Sequence, residues 1–321
     1  MGTYLAKRTI FGLLTLLVTS FLIFSLLRVV PGGPVDALIE EGWDDPELRA
    51  QLRHKLGLDL PFHLQYARWL GGVVQGDFGV SLVLYQGEPV GGVILERFGV
   101  TAQLALLSLA IALAVAFPAG IISALWKDKL PDHIFRVVAL AGISTPNFFL
   151  GIALIVMIGV GLRRDWGVGG YVPFGEDPWG WFLRLLLPAI VLGTDHAASI
   201  SRMLRTAMLE ALGKEFVLTA RAMGLPKREL ILRDGLRNAM IPVITVIGNS
   251  AGALLDGAVI TEVIFRLPGL GSLLVQGVYA RDLPLVQGVV VAAVGIRVAV
   301  NLLVDLLYGI LDPRIRYGGG S

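Results

Sequence analysis

Residues Leu218 to Ile244 read LTARAMGLPKRELILRDGLRNAMIPVI, a basic segment that lies between two apolar runs of the chain. Leu204 to Met223 contains good helix formers and no proline, which predicts one helix over that range. Gly224 can adopt the left-handed conformation that ends a helix, with Leu225 making the accompanying apolar contact. Pro226 then stands where the first turn of a following helix needs no N–H donor. The segment therefore predicts a helix, a tight corner and a second helix.

The composition of the chain is typical of an integral membrane protein. Of its 321 residues, 55% are hydrophobic and 16% are charged, with a mean hydropathy of +0.73, which is too apolar for a soluble domain. A net charge of +2 without long basic runs excludes nucleic acid as a partner. The chain has no cysteine, and His54, His63 and His133 are scattered, so no metal site is predicted.

Several apolar runs are long enough to cross a bilayer, because a membrane helix needs about 20 mainly apolar residues. There are six such runs, at Thr9–Leu27, Val100–Trp126, Phe135–Leu162, Leu183–Met208, Ile241–Phe265 and Leu285–Leu311. Prolines 118, 146, 188 and 242 lie within or at the ends of these runs, where kinks are expected. The sequence predicts an all-α membrane protein with six transmembrane helices.

The segments around these runs give the expected organisation. Residues 1–30 form an N-terminal anchor helix, 31–98 an extracytoplasmic loop region with short helices, and 99–317 a transmembrane core with the corner element at about 210–238, while 318–321 are a linker remnant. Basic residues concentrate near Lys7 and in the cluster Arg202–Arg237. By the positive-inside rule, the corner and both termini are cytoplasmic. The alternative for the corner is a solvated loop whose basic residues only set the topology.

Polar residues inside the apolar runs are candidates for a translocation pathway, because charge at the bilayer centre is costly. The candidates are Asn147 in the third run, Asp195 and His196 in the fourth, and Asn249 and Asp256 in the fifth. The alternative for each of them is a hydrogen bond to the backbone of a neighbouring helix.

Two short patterns bear on enzyme chemistry. Gly248 to Gly252 reads GNSAG, which satisfies GxSxG and suggests an intramembrane serine protease with Ser250 as nucleophile and His196 as base. Small residues in a membrane helix equally allow close helix packing. Gly213-Lys214 is followed by Glu215, so the chain has no GxxxxGK loop ending in Ser or Thr and cannot cradle ATP by that route.

The corner resembles a known family at the level of its motifs. TARAMGL (219–225) followed by RNAMIPVIT (237–245) is similar to the cytoplasmic signature of the permease subunits of ATP-binding-cassette importers, specifically the dipeptide and oligopeptide type. The resemblance extends to PGGPVDAL at 31–38, LGLDLPFHLQY at 56–66, GDFGVS at 76–81 and NLLVDLLYGILDPRIR at 301–316. Leu218 and Thr219 depart from the general Glu-Ala-Ala form, because they stand where that pattern has Glu and Ala.

The resemblance implies a non-enzymatic permease subunit in a bacterial or archaeal cytoplasmic (inner) membrane. Its coupling helix would lie between the fourth and fifth transmembrane helices and would use Thr219, Ala220, Arg221, Ala222, Gly224, Leu225 and Pro226. The implied partners are a second homologous permease subunit, two ATPase subunits that bind ATP and Mg, an extracytoplasmic substrate-binding protein and membrane lipid. An ion-gradient-driven secondary transporter is the alternative, although the sequence has no clear internal repeat of the kind such transporters carry.

Overall fold

The computed structural model describes residues 2–29, 35, 46–55, 58–161, 169–226 and 229–311. Some sequence motifs lie outside these residues, namely PGGPVDAL apart from Val35, the basic pair 227–228 and the segment 312–321. The described part of the chain is almost wholly helical, and its only β contact is the isolated antiparallel bridge between Val80 and Pro89. The all-α class predicted from the sequence is confirmed.

The helices follow one another with short connections. In chain order they are α1 (Gly2–Val29), α2 (Pro46–Lys55), α3 (Phe62–Val74), α4 (Val90–Leu125), α5 (Leu130–Ser144), α6 (Asn147–Ile155), α7 (Pro178–Leu212), α8 (Glu215–Ala222), α9 (Arg237–Phe265), α10 (Leu270–Tyr279) and α11 (Leu283–Leu311). A π-helical turn, Val156–Gly161, extends α6, and a π-helical segment, Leu230–Leu236, leads into α9.

Among the described residues, five helices are long and apolar enough to cross a membrane, or six segments if the bent pair α5–α6 counts as one span. The five are Ala6–Leu26, Val90–Leu125, Pro178–Leu212, Leu230–Phe265 and Leu283–Leu306. They overlap five of the six predicted runs, although two of them begin much earlier than predicted, at Val90 against Val100 and at Leu230 against Ile241. The short helices α2 and α3 lie in the long segment after the first span, where short helices were also expected.

The third predicted run, Phe135–Leu162, is broken where the sequence predicted a kink. The chain bends by 99° between α5 and α6. Thr145 has φ −89° and ψ 117°, an extended conformation that the ring of the following Pro146 imposes by steric clash. Pro118, Pro188 and Pro242 instead lie inside continuous helices. The proline rule therefore located the break at Pro146 but did not distinguish a break from an accommodated proline.

The prediction of one helix over Leu204–Met223 is wrong. α7 ends at Leu212, and the Gly213 N–H donates to the Leu209 carbonyl at 3.1 Å. The Lys214 carbonyl then accepts the Val217 N–H at 3.0 Å and begins α8. Glycine loses more backbone freedom in a helix than any other residue, which explains the interruption at this position.

By its internal contacts the chain divides into two compact units, of which the first comprises Ala102–Leu267 and Val300–Ser321. Its core is built on Ile200, Leu204 and Met208 of α7, which are fully buried against alanines of α4 and α9. Glycine permits the closest approach of these helices, because a Cβ at Gly120 would lie 2.9 Å from the Ser201 carbonyl oxygen. Small residues at such contacts are typical of membrane helix packing.

The second unit comprises Gly2–Thr101 and Pro268–Ala299. This unit contains the buried carboxylate of Asp282, which accepts hydrogen bonds from the Ser81 hydroxyl at 2.5 Å and from the backbone N–H groups of Val83 and Leu84 at 3.0 and 3.1 Å. Because these donors satisfy a charge that would be costly to bury alone, Asp282 fixes the loop Ser81–Leu84 to the turn between α10 and α11.

Candidate functional site

The corner between α7 and α9 has the helix–corner–helix form that the sequence predicts. α8 ends at Ala222, the Met223 N–H donates to the Thr219 carbonyl at 3.0 Å, and Gly224 has a left-handed φ of 83°. The Pro226 carbonyl accepts the N–H groups of Glu229 at 2.9 Å and Leu230 at 3.3 Å, so the next helical turn begins at this proline. The roles predicted for Gly224 and Pro226 in the backbone are confirmed, whereas the apolar contact of Leu225 stays a prediction.

The base of the corner is buried. Val217 of α8 and Leu230 of the π-helical segment are each 5% exposed. Gly235 lies against α7, since a Cβ at that position would stand 2.9 Å from Cδ2 of Leu212. The corner is therefore packed onto the end of α7 and does not hang from the membrane helices as a free loop.

The tip of the corner is exposed. The Met223 side chain is 77% exposed, and a Cβ added to Gly224 would meet no atom within 4 Å. Thr219, Ala222 and Pro226 are exposed too, and Leu225 is partly exposed; the side chains of the predicted residues Ala220 and Arg221 lie outside the described part of the chain. An apolar tip on a buried base is suited to docking in a groove of another protein.

The predicted pathway residues fall into two groups. Asn249 and Asp256 are exposed on α9 and are seven residues apart, which places them on one face of the helix. Asp195 and His196 are partly buried on α7, and Asn147 is partly buried at the first position of α6, directly after the break at Pro146. The structure therefore shows one exposed polar face, on α9. The other three predicted residues are partly buried on α6 and α7.

The exposed polar face of α9 also contains Thr245, which the sequence analysis missed. Thr245 is exposed and stands four residues before Asn249. The spacing of four residues was readable from the sequence, but a threonine in an apolar run is common because its hydroxyl can bond to the preceding turn. Here that bond is present, from Thr245 Oγ1 to the Ile241 carbonyl at 3.5 Å.

A second missed feature is a buried ion pair between α5 and α7. Two nitrogens of the Arg205 guanidinium donate hydrogen bonds to the Asp132 carboxylate, Nε to Oδ1 at 2.7 Å and Nη2 to Oδ2 at 2.6 Å. The Asp132 side chain is completely buried and Arg205 is 19% exposed. The sequence carries only a weak signal for this pair, an acidic residue directly after Pro131 near the start of an apolar run, and in the sequence Arg205 looks like a charge that sets topology.

The protease reading of Ser250 is not favoured by the structure. Ser250 is 5% exposed and lies within the continuous helix α9, without the strand and sharp turn that make a GxSxG serine reactive. No hydrogen bond joins Ser250 to His196 among the described residues. Gly248 and Gly252 flank it and are buried, which agrees with close helix packing.

Ser250→Ala is therefore expected to leave transport within about twofold of wild type, because the change removes one buried hydroxyl and adds no volume. Initial uptake rate in reconstituted vesicles measures this. A proteolytic activity that is present in the wild-type chain and lost in the Ser250→Ala chain would instead support the protease hypothesis.

The described residues build no metal cluster, and the pair Gly213-Lys214 does not have the setting of a phosphate-binding loop. No group of three or more His, Asp or Glu side chains there is placed to hold a metal ion. Gly213 and Lys214 form the turn before α8, and Glu215 is the first residue of that helix. This turn follows a helix, whereas a phosphate-binding loop follows a strand.

Comparisons with known proteins give the family. Residues 116–317 match the family model described as binding-protein-dependent transport system inner membrane component, and residues 1–105 match the model for the N-terminal part of such components. The chain is 40% identical over 319 residues to a putative peptide permease protein of Brucella ovis, covering 98% of this chain and 99% of that protein.

Two further relatives have similar coverage. The di/tripeptide transport system permease protein DppB of Pseudomonas aeruginosa is 38% identical over 343 residues, with 99% of each chain covered. The dipeptide transport system permease protein DppB of Escherichia coli is 40% identical over 326 residues, with 93% of this chain and 94% of that protein covered.

A solved structure shares the fold. It is the MetNI methionine ABC transporter in inward-facing conformations, matched with a TM-score of 0.56 and 16% identity over 70% of this chain and 99% of the other. The family model and the three relatives confirm the resemblance read from the corner motifs. Because the family model covers most of the chain and the relatives are similar over nearly its whole length, this chain belongs to the family of binding-protein-dependent transport system inner membrane components.

Proposed function

We propose that this chain is the permease subunit of an ATP-driven importer of small peptides. The observation that carries the proposal is the exposed corner, whose base is packed onto the end of α7 in a chain of this family. The peptide cargo is supported by the names of the relatives, which are peptide, dipeptide and di/tripeptide permeases. The family match does not support the alternative function, an ion-gradient-driven secondary transporter.

The corner is the element that receives force from a partner ATPase. The contact surface comprises Thr219, Ala220, Arg221, Ala222, Gly224, Leu225 and Pro226, with the exposed side chain of Met223 at its tip. Movement of the tip is transmitted because its base is packed. Val217 and Leu230 are buried, Gly235 lies against Leu212 of α7, and the segment Leu230–Leu236 leads into α9. A loosely attached loop would absorb the same displacement.

The exposed polar face of α9 is the part of the chain best suited to line the translocation pathway. Thr245, Asn249 and Asp256 would be costly to expose to lipid, so this face is assigned to the translocation pathway shared with a second permease. Asn147, Asp195 and His196 line the pathway only in a conformation that uncovers them. Alternation between two such conformations is the expected transport cycle.

The setting of the chain follows from the same proposal. It resides in the cytoplasmic membrane of a bacterium or archaeon, with both termini and the corner on the cytoplasmic side. Its partners are a second homologous permease, two ATPase subunits and an extracytoplasmic binding protein. The chain holds no cofactor of its own, and ATP and Mg are bound by the ATPase subunits.

Copurification tests the proposal most directly. Expressed with its genomic neighbours, the tagged chain is expected to bring down an ATPase, and Met223→Glu is expected to lower the recovered ATPase about tenfold, because a carboxylate must then be desolvated in the docking groove. Glu210→Gln is the matched control, since Glu210 is exposed on the last turns of α7 but lies outside the contact surface Thr219–Pro226. Peptide uptake by a preparation that lacks an ATPase would overturn the proposal.

A further inference from the structure

A basic cavity of about 830 Å³ opens between α5, α7 and α9 in the first unit. Two helix faces enclose it: positions 133, 136, 137 and 140 of α5, and positions 199, 202, 203 and 206 of α7. Both sets follow the i, i+3, i+4, i+7 spacing of a single helix face. Arg205 and Val246 complete the lining.

The charges of this basic cavity are unbalanced. None of the ten lining residues is acidic, and three of them are arginines. The Arg205 charge is matched by the buried Asp132 carboxylate. Arg136 and Arg202 are exposed and form no ion pair with any residue that the structure describes. The cavity therefore offers two uncompensated guanidinium groups, with His133 beside them, to an anion.

The polar and apolar parts of the basic cavity are separated along α5, where His133 and Arg136 precede Val137 and Leu140. These two polar residues lie in the first two turns of α5, and Arg202 and Thr206 lie toward the end of α7 that leads into the corner. Leu140, Met203 and Val246 supply apolar wall. The neighbouring surface of α5 is apolar and open, with Ile134 51% and Val138 62% exposed.

We infer that the basic cavity binds an anionic phospholipid, with the headgroup phosphate between Arg136 and Arg202 and an acyl chain along the apolar wall. Guanidinium groups bind phosphate oxygens through charge-assisted hydrogen bonds, and basic pockets between membrane helices suit anionic headgroups. A transported peptide fits less well, because its amino end would need a carboxylate and the lining has none. The exposed apolar surface of α5 continues the acyl-chain path out of the cavity.

Lipid retention by the complete transporter tests this inference. The complex, purified with its partner subunits and washed in detergent, is expected to retain phosphatidylglycerol or cardiolipin selectively over phosphatidylethanolamine, as quantified by mass spectrometry of the extracted lipid. The double variant Arg136→Gln/Arg202→Gln is expected to retain at least about tenfold less anionic lipid, since even one lost charge-assisted hydrogen bond weakens binding by roughly that factor.

Three comparisons make the result specific. Arg237→Gln is the matched control, because Arg237 is an exposed arginine at the same helix ends that does not line the cavity, and it should retain lipid like wild type. Arg136→Lys/Arg202→Lys keeps the charge and should restore most of the retention. Copurification of the partner subunits in each variant shows that the complex is assembled.

The source of the phosphate is distinguished with defined bilayers. In nanodiscs of phosphatidylethanolamine with increasing phosphatidylglycerol, wild-type complex should show a saturable rise in ATPase activity that the Gln double variant lacks. Inorganic phosphate added to discs of phosphatidylethanolamine alone should not reproduce the rise. Equal lipid retention in wild type and the Gln double variant, or an effect of inorganic phosphate equal to that of the lipid, would overturn the inference.

Discussion

Asp132→Ala is expected to destabilise the chain by about 3 kcal/mol, because it leaves the guanidinium of Arg205 without its counter-ion in the packed region between α5 and α7. Removing one partner of a buried ion pair costs roughly 3–5 kcal/mol. The lower end of that range applies, since Arg205 remains 19% exposed and water can reach part of its charge. Thermal unfolding of the purified chain in lipid nanodiscs measures the loss.

The size of this effect comes from the number of groups that converge on one carboxylate. Besides Arg205, the Ser123 hydroxyl at the end of α4 and the backbone N–H of Asp128 at 3.0 Å donate to Asp132. Asp128 itself has a left-handed φ of 60°, which its hydrogen bond to Asp132 helps to hold. Asp132 therefore ties the end of α4, the α4–α5 turn and α7 together at one point.

A double-substitution cycle separates the ion pair from general disruption of the core. Asp132→Ala/Arg205→Leu removes both charges, and a buried pair replaced by apolar side chains loses little stability. The double variant should therefore unfold closer to wild type than Asp132→Ala does. Additive losses from the two single substitutions would contradict the assignment of the effect to the pair, as would an Asp132→Ala chain that unfolds at the wild-type temperature.

The membrane helices could be predicted from the sequence because their signal is local. A run of about 20 apolar residues has few alternatives to a spanning helix, and five of the six runs became single helices. The third run is broken at the expected kink site, Pro146, where the outcome depends on whether neighbours can satisfy the freed backbone groups. Pro118, Pro188 and Pro242 carry the same local signal and remained inside helices.

The corner was predictable for a related reason. Gly224, followed by Leu225 and Pro226, is a local signal for the end of one helix and the start of the next. Gly224 has the expected left-handed backbone conformation. Gly213 carries a weaker form of that signal, because the helix formers on both sides of it favour a continuous helix. The entropic cost of a glycine inside a helix is the physical reason that α7 ends before this residue.

The ion pair and the basic cavity could not be predicted, because both depend on contacts between distant parts of the chain. Asp132 and Arg205 are 73 residues apart. Their pairing depends on how α5 packs against α7, which periodicity alone does not determine. The same packing leaves Arg136 and Arg202 without carboxylate partners among the described residues. In the sequence, all three arginines look like equivalent topology signals.

Gly224→Val is expected to lower peptide uptake at least about tenfold while the chain still assembles in the membrane. Gly224 has φ 83° and nothing within 4 Å of a Cβ at that position, so a side chain clashes with no other part of the chain. The backbone cost is about 1–2 kcal/mol, which a packed membrane domain tolerates. The larger effect falls on docking, because the new side chain occupies the space into which the ATPase groove must fit; each 1.4 kcal/mol lost there is a factor of ten.

Gly76 provides a matched control for the strain of that substitution. It follows the last residue of α3 by two positions, as Gly224 follows α8, and has φ 84° with open space at its Cβ. Gly76→Val thus introduces the same backbone strain away from the corner, and should transport nearly as well as wild type. Gly224→Asn adds the complementary test, since asparagine tolerates the left-handed conformation yet still carries a side chain.

The ratio of ATP hydrolysed to peptide imported in proteoliposomes decides between a conformational and a steric role for Gly224. If the corner docks into a groove, Gly224→Val and Gly224→Asn both raise that ratio or abolish uptake, and Gly76→Val does not. If only the backbone turn matters, Gly224→Asn transports normally. Normal coupling in the Gly224→Val complex would remove the docking role from this corner, and force from the ATPase would then have to enter the membrane helices at another point.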